Sequence, residues 1–150
     1  MVPPCPRLAA RAVVLADDRL LLVNAYPGNR SGLWCAPGGG AESGRSLPDN
    51  LVREVREETG LIVAVGAPIL VNEFHDPEGT FHQVDIYFRC SIVAGALNPA
   101  WRDPDGVVSR RRFFAREEMS AILFKPDSLP AVAWDAPGAI AYDPLEPIQR

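Results

Sequence analysis

Residues 37–61 read PGGGAESGRSLPDNLVREVREETGL, and the fold turns on what the second half of that stretch does. Ser46 suits a helix N-cap, Pro48 and Asp49 suit the first turn, and Gly60 suits the residue just past a helix C-terminus. Between them Leu47, Leu51 and Val55 recur at helical spacing, with Val52 at one edge. This predicts an amphipathic helix whose apolar stripe docks on a sheet. Arg53 and Arg56 fall on the opposite side. Glu54, Glu57 and Glu58 stand at i, i+3 and i+4, the first and last at the border of the stripe and Glu57 further round beside Arg53. Like charges at these spacings destabilise a helix by roughly 0.2–0.5 kcal/mol per pair. A solvated face with an i,i+4 pair such as Arg53–Glu57 is the plain reading, yet it leaves Glu54 and Glu58 crowded without a local cation. A hard divalent ion relieves that crowding, because Mg²⁺ takes oxygen ligands from carboxylates, water and phosphates. The glycines at 38–40 suit the same picture, since backbone without Cβ can approach an anion or an ion's shell closely.

Working outward, residues 8–15 (LAARAVVL) and 20–24 (LLLVN) are β-prone runs on either side of Asp17-Asp18, a hairpin signal. A loop with Pro27, Gly28, Asn29 and Gly32 leads to a short apolar piece at 33–36, after which Pro37 and the glycines are expected to break regular structure. Beyond the helix come β-prone runs near 61–65 and 69–74, a turn at 76–79, and a long strand, FHQVDIYFRCSIV, at 81–93. A last strand near 112–114 runs into a short helix at 116–119. Regular βαβ alternation is missing, so the fold class is α/β with a mixed or antiparallel sheet.

The 150 residues suit one domain with a single core. A net charge of −4 argues against a duplex nucleic-acid partner, which calls for a basic face. Cys5, Cys35 and Cys90 are odd in number and lack CxxC spacing, so reduced thiols are expected rather than disulfides or zinc. Neither a secretory leader nor a membrane span is legible, and a cytoplasmic location is the expectation. No internal repeat is evident. Fifteen prolines are about twice the usual share of ~5% and gather at Pro3, Pro4 and Pro6, and at Pro126, Pro130, Pro137, Pro144 and Pro147. From about residue 126 the chain therefore reads as an extended arm, packed on the domain or on a second copy in a homodimer.

From Gly39 to Leu61 the chain resembles the Nudix box, G-x5-E-x7-R-E-U-x-E-E-x-G-U with U a bulky aliphatic residue. Gly39, Arg53, Glu54, Val55, Glu57, Glu58, Gly60 and Leu61 match, and GLWCAPGGG resembles the family's usual lead-in. Arg45 stands where the pattern has its first glutamate, with Glu42 three residues earlier as a possible substitute, and Asn50 replaces a small residue common there. The resemblance implies an α/β/α sandwich with a mixed sheet. It also implies a metal-dependent hydrolase that cleaves the diphosphate linkage of a nucleoside diphosphate joined to another group, such as a nucleotide sugar, ADP-ribose, a dinucleotide or an NTP-like compound. Mg²⁺ is the implied ion, with Mn²⁺ as a substitute. Carried over by position, Glu54 and Glu58 are metal ligands, Glu57 is a ligand or the base acting on water, Arg53 holds the glutamates, and Gly39 offers backbone near the metal. A Nudix-fold binding or sensor protein that no longer cleaves is the rival from another class, and Arg45 is its only support.

Substrate choice is expected outside the box. Alternation places Gln83, Asp85, Tyr87 and Arg89 on one face of the long strand. That face lines a pocket, with Asp85 or Glu73 as an extra ligand or alternative base, or it is half exposed. Arg11, among apolar residues on the first strand, either grips a phosphate or sits at an exposed edge. His75 and His82 read as loop histidines; Trp34, Trp101 and Trp134 as packing residues or base stackers; the run 110–112 as a solvated strand entrance or a phosphate contact.

Overall fold

The computed structural model describes residues 4–135 and 138–150; Pro3 and Pro137 of the proline-rich ends lie outside them. The chain begins with the expected hairpin, β1 (Arg7–Ala16) and β2 (Arg19–Asn24), joined by Asp17 and Asp18 at φ 50° and 60°. Two residues with positive φ make the turn whose twist matches a hairpin. β3 (Leu33–Cys35) pairs antiparallel with β2. The glycine run is itself a strand, β4 (Gly38–Gly40), antiparallel to β1 at Ala9–Arg11. Breakage was expected there, but backbone hydrogen bonds hold a strand that has no side chains to pack.

Helix α1 (Leu47–Thr59) starts where expected, with the Ser46 hydroxyl accepting from the Asp49 N–H at 3.1 Å. It ends at Gly60, φ 77°. Leu51 and Val55 are fully buried against Ala10, Ala12 and Val14 of β1. Those alanines let the helix come close, and burial of a Leu or Val side chain contributes about 1.5–3 kcal/mol.

The two β-prone runs after the helix form one strand, β5 (Ile62–His75), with register shifts around Pro68. Pro68 lacks an N–H, so the strand bulges there instead of ending. β5 lies antiparallel to β6 (His82–Ala94), and β6 runs parallel to β1 along Arg7–Val14. His75 and His82 therefore face each other as paired strand residues at the hairpin's end, not as loop residues. β7 (Arg111–Ala115) joins β2, a 3₁₀ helix follows at Arg116–Ala121, and β8 (Leu123–Phe124) joins β3. The result is a curled mixed sheet with α1 on one face, and among the described residues α1 is its one α-helix. No helix among them is long and apolar enough to cross a membrane.

Residues 126–135 are not an extended arm. They form a compact helical turn, π-type at Ala131–Asp135, that puts Leu129, Val132 and Ala133 into the core beside Val13, Leu70, Tyr87 and Phe114. This turn and the 3₁₀ helix cover the sheet face opposite α1. Proline composition misled because one buried leucine at the right offset is enough to anchor such a segment. The arm proper is shorter: β9 (Ala141–Tyr142) and β10 (Glu146–Pro147) add in parallel along the edge of β5.

Leu129→Ala is thus expected to cost about 2–5 kcal/mol, as for other fully buried leucines. Leu145→Ala, at a half-exposed site, is expected to be near neutral. Urea unfolding of the two variants checks this, and comparable small losses would remove the 126–135 turn from the core.

Candidate active site

Arg53 is the hub of the carboxylate helix. Its Nη1 donates to both oxygens of Glu57 at 3.0–3.1 Å, and its Nη2 to Glu42 at 3.1 Å, Asn50 Oδ1 at 3.0 Å and Glu54 at 3.2 Å. Glu54 therefore has the local cation that helical spacing denied it, because an extended guanidinium reaches a neighbour one residue on. Glu42 takes a place on Arg53 while also pairing with Arg45 at 3.2 Å in an exposed bridge. Asn50, fully buried, donates from Nδ2 to the Gly40 carbonyl at 2.9 Å and ties α1 to β4. Read from sequence as a mere departure, it is a fastener.

The edge of β4 is where the two sheet faces meet. On the helix side, a Cβ at Gly39 would stand 2.6 Å from the Glu54 carboxyl carbon. On the other side, a Cβ at Gly40 would stand 2.5 Å from an Arg7 guanidinium nitrogen. Glycine is required at both positions for the two charged groups to lie across the strand. Glu58 reaches the same edge and accepts from the Gly38 N–H at 3.0 Å. Burial, first of all, pushes the Glu58 carboxyl up to about 8 against the pull of Arg11 and the Gly38 N–H, with Glu54 and Asp103 adding to the rise. Glu54 is also raised, by burial first.

Arg11 comes from the opposite face, donating to the Ala36 carbonyl at 3.3 Å and lying 3.7 Å from Asp85. Burial disfavours its charge, and the negative groups around it, Asp85 first, outweigh that. Arg11 and Arg7 border both halves of one continuous cleft. One half holds Glu54, Glu58, the glycines and two acids from the 98–110 loop, Asp103 and Asp105. The other lies over β5, β6 and β1 and holds Asp85, Gln83 and Asn72.

The loop is docked, not loose. Trp101 Nε1 donates to the Glu57 carbonyl at 2.8 Å, Arg111 Nε to the Glu58 carbonyl, and Asn24 binds Tyr26 and Val107 carbonyls and the Ser109 and Arg110 N–H groups. The last carbonyls of α1 are satisfied by these donors. Arg110 sits over Trp34 and Arg112 pairs with Glu118, so the basic run is structural. Trp34 packs edge-on to Phe114, and Trp134 donates to the Asp18 carbonyl.

Among the sequence candidates, Glu54, Glu58, Gly39, Arg11 and Asp85 therefore border one cleft, and Glu57 stands beside it on Arg53. Glu73 does not join them: it lies on the reverse face of β5, with the Tyr142 hydroxyl and His82 as partners. Arg7, Asn24, Asn72, Asp103 and Asp105 were missed. An arginine every fourth residue along β1 (Arg7, Arg11) was the legible hint; the loop acids carried none.

The metal question turns on the donors. Among the described residues no three His, Cys, Asp or Glu side chains converge to hold an ion unaided. Two hard carboxylates at a glycine edge with free approach to backbone nonetheless suit Mg²⁺, which keeps waters and takes one or two carboxylates plus substrate phosphate.

The NUDIX domain family model matches residues 6–135; the chain belongs to the Nudix family. It is 30% identical over 92 residues to an ADP-ribose pyrophosphatase of Methanocaldococcus jannaschii, covering 61% of this chain and 54% of that protein. It is 30% identical over 95 residues to the protein of Bacillus subtilis called putative ADP-ribose pyrophosphatase YjhB, covering 61% and 44%. The chain thus spans about half the length of the curated relatives it matches. In fold it is similar to a Nudix hydrolase from Nitrosomonas europaea (TM-score 0.73, 22% identity, 88% of this chain and 90% of that one). It is also similar to a UDP-X diphosphatase (TM-score 0.69, 21% identity, 95% and 70%).

Two predictions follow from the site's geometry. Gly39→Ala presses only on a movable side chain, so it is expected to leave melting almost unchanged while weakening Mg²⁺ binding. Gly38→Ala is expected to unfold the protein, since φ is 153° and the added Cβ would meet the Ala10 carbonyl oxygen at 2.0 Å. Calorimetry with and without Mg²⁺ separates them, and equal behaviour would refute the glycine-edge reading. Secondly, Glu58 keeps its proton in the folded metal-free chain between its ordinary value near 4.5 and about 8. The unfolded chain has lost that proton, so metal-free stability falls as pH rises through this window. Glu58→Gln is expected to flatten that slope in urea titrations at pH 5 to 8; a slope that survives the change would place the titration elsewhere.

Proposed function

We propose that this protein is a divalent-metal-dependent pyrophosphohydrolase acting on the diphosphate linkage of a nucleoside diphosphate joined to another group. The observation that carries the reading is the polarity of the cleft. Carboxylates Glu54 and Glu58 stand at one end, arginines Arg7 and Arg11 at the middle, and a pocket with polar floor and aromatic walls at the other. A nucleoside diphosphate derivative suits this order, with its diphosphate at the arginines, a cation between the phosphates and the carboxylates, and its uncharged part toward the far pocket.

Glu54 and Glu58 would hold Mg²⁺, or Mn²⁺ in its place, with the Gly39 backbone beside them and Glu57 as a third carboxylate. When bound, such an ion neutralises phosphate oxygens and acidifies water. Arg7 and Arg11 attract the diphosphate and orient it, supplying the fixed charge that phosphoryl transfer relies on. Arg53 holds Glu57 through both of its oxygens and Glu54 through one, fixing where these carboxylates point. Glu42 on Arg53 weakens the case for a sensor that no longer cleaves, because a carboxylate near the box still occupies the hub despite Arg45.

A panel of nucleoside diphosphate derivatives, beginning with ADP-ribose because two relatives bear that name, tests the reading through metal-dependent release of phosphate monoesters. Glu54→Gln and Glu57→Gln are expected to cut turnover about a hundredfold or more and, for Glu54, to raise the Mg²⁺ requirement, with circular dichroism unchanged. Absence of cleavage across the panel, or near wild-type rates in both variants, would overturn it.

A further inference from the structure

Helix α1 ends in carbonyls that no N–H of the helix can reach, and the 98–110 loop takes two of them in succession. The Gly60 N–H returns to the Arg56 carbonyl, and the Leu61 N–H turns to the Thr59 hydroxyl at 3.1 Å. The carbonyls of Glu57 and Glu58 are left over. Trp101 Nε1 donates to the first at 2.8 Å, and Arg111 Nε donates to the second. A Cβ at Gly60 would stand 2.9 Å from the Trp101 ring, so glycine there lets the indole close on the helix end.

The two flanks of the loop are held unequally. The later flank has Asn24, buried on β2, which binds the Val107 carbonyl and the Ser109 and Arg110 N–H groups. Arg111 adds a bond to the Val108 carbonyl at 3.0 Å. The earlier flank has Trp101. Among the described residues its indole makes the one hydrogen bond from 97–102 to another element, with Leu97 adding apolar contact to the core under α1. Between the flanks the Asp103 carboxylate folds the tip, accepting from the N–H groups of Asp105, Val107 and Val108 at 2.8–3.2 Å. The folded tip brings Asp103 and Asp105 to the half-cleft of Glu54 and Glu58, where the four acids outnumber Arg7 and Arg11. Repulsion among the acids pushes the tip away from α1, and Trp101 opposes it. A divalent cation in the cleft reverses the sign of that force.

We propose that Trp101 is a positioning residue for the cation: by hanging the loop on the Glu57 carbonyl it fixes the tip's acids against the carboxylates of α1, so that loop docking and divalent-cation binding strengthen each other. The inference deepens the functional reading above and rests on it for taking such a cation to bind beside Glu54 and Glu58. Asp103 and Asp105 contribute through their field, which apolar walls such as Val107 and Val108 concentrate in the cleft. A cation that favours the docked loop is favoured by docking to the same degree, because linkage between two equilibria is reciprocal. Removing the indole N–H while keeping a ring against Gly60 therefore loosens the tip and lowers cation affinity, although Trp101 itself lies outside the cleft lining.

Titrating Mg²⁺ alone into the full chain by calorimetry, with no substrate present, tests this apart from turnover. Trp101→Phe is expected to raise the Kd for Mg²⁺ about fivefold or more. Trp134→Phe, which loses the same kind of bond to the Asp18 carbonyl away from the cleft, is expected to lower the melting temperature and leave that Kd unchanged. In turnover, Trp101→Phe is expected to need more Mg²⁺ for half-maximal rate while kcat at saturating Mg²⁺ is little changed. By NMR of the wild type, saturating Mg²⁺ is expected to slow solvent exchange of the Trp101 indole N–H and not that of Trp134. Equal Mg²⁺ affinity in wild type and Trp101→Phe, an equal loss in Trp134→Phe, or indole exchange that Mg²⁺ leaves unmoved would overturn the proposal. Should Trp101→Phe fail to fold, the exchange measurement decides alone. A wild-type chain that takes up no Mg²⁺ would sink the functional reading and this inference with it, whereas uptake indifferent to Trp101 would sink this inference only.

Discussion

Arg53 holds three carboxylates and an amide oxygen on two nitrogens, and the geometry of the site follows from that. Without a cation, Glu54, Glu57 and Glu58 would repel one another along a single turn of α1, and the helix would lose a few tenths of a kcal/mol at each pair. With it, Glu57 is gripped through both oxygens and Glu54 through one, while Glu58 is left to the backbone of β4. A lysine could not reproduce this, because a point charge has no fork to reach five acceptor atoms at once. The acidic turn is therefore neither a solvated face nor a bare metal trap. It is a set of carboxylates oriented by the protein's own hydrogen bonds.

Orientation would be useless if the helix could not reach the sheet edge. Ala10 and Ala12 keep β1 flat under α1, Asn50 fastens the helix to Gly40, and the absence of side chains on β4 leaves room on both of its faces. A charged group from the helix side and another from the opposite face thus meet across one strand. That is how a carboxylate cluster and an arginine pair of opposite sign come to border one cleft without neutralising each other in direct contact. The loop carrying Asp103 and Asp105 is held against the same corner by donors that the helix's last carbonyls would otherwise lack.

The helix and its caps were legible because Ser46, Gly60 and the Leu51–Val55 stripe act within a few residues of one another. The β1–β2 hairpin was legible for the same reason, at Asp17-Asp18. Pairings set by distant backbone were not. The glycine strand depends on β1 thirty residues away, and the fusion of two β-prone runs into β5 depends on β6 tolerating a bulge at Pro68. Leu129 looked like part of a proline-rich tail because nothing local says that a core waits for it. In the site, Arg11 and Asp85 could be suspected from charge on an apolar strand, but Arg7, Asn72 and the loop acids became visible only when three strands and a loop were brought together. Glu73 misled by its neighbourhood: one residue along a strand is the other side of the sheet.

The two halves of the cleft also differ in what supports them, and this bears on how such a protein changes. The acidic half is built from elements whose replacement disturbs backbone: a helix cap, a glycine edge, a buried asparagine. The far half has a floor of ordinary strand positions and a wall made by a terminal segment joined through a few backbone hydrogen bonds and exposed ion pairs, each worth little alone. A strand added in parallel at an open edge also covers unpaired N–H and C=O groups of β5, so the tail has a structural use whatever the pocket binds. Its sequence is then constrained mainly where it faces the cleft. Substitutions at Glu146–Gln149 can reshape the wall without touching Arg53 or the carboxylates, and so leave the acidic end as it is while altering what the other end admits.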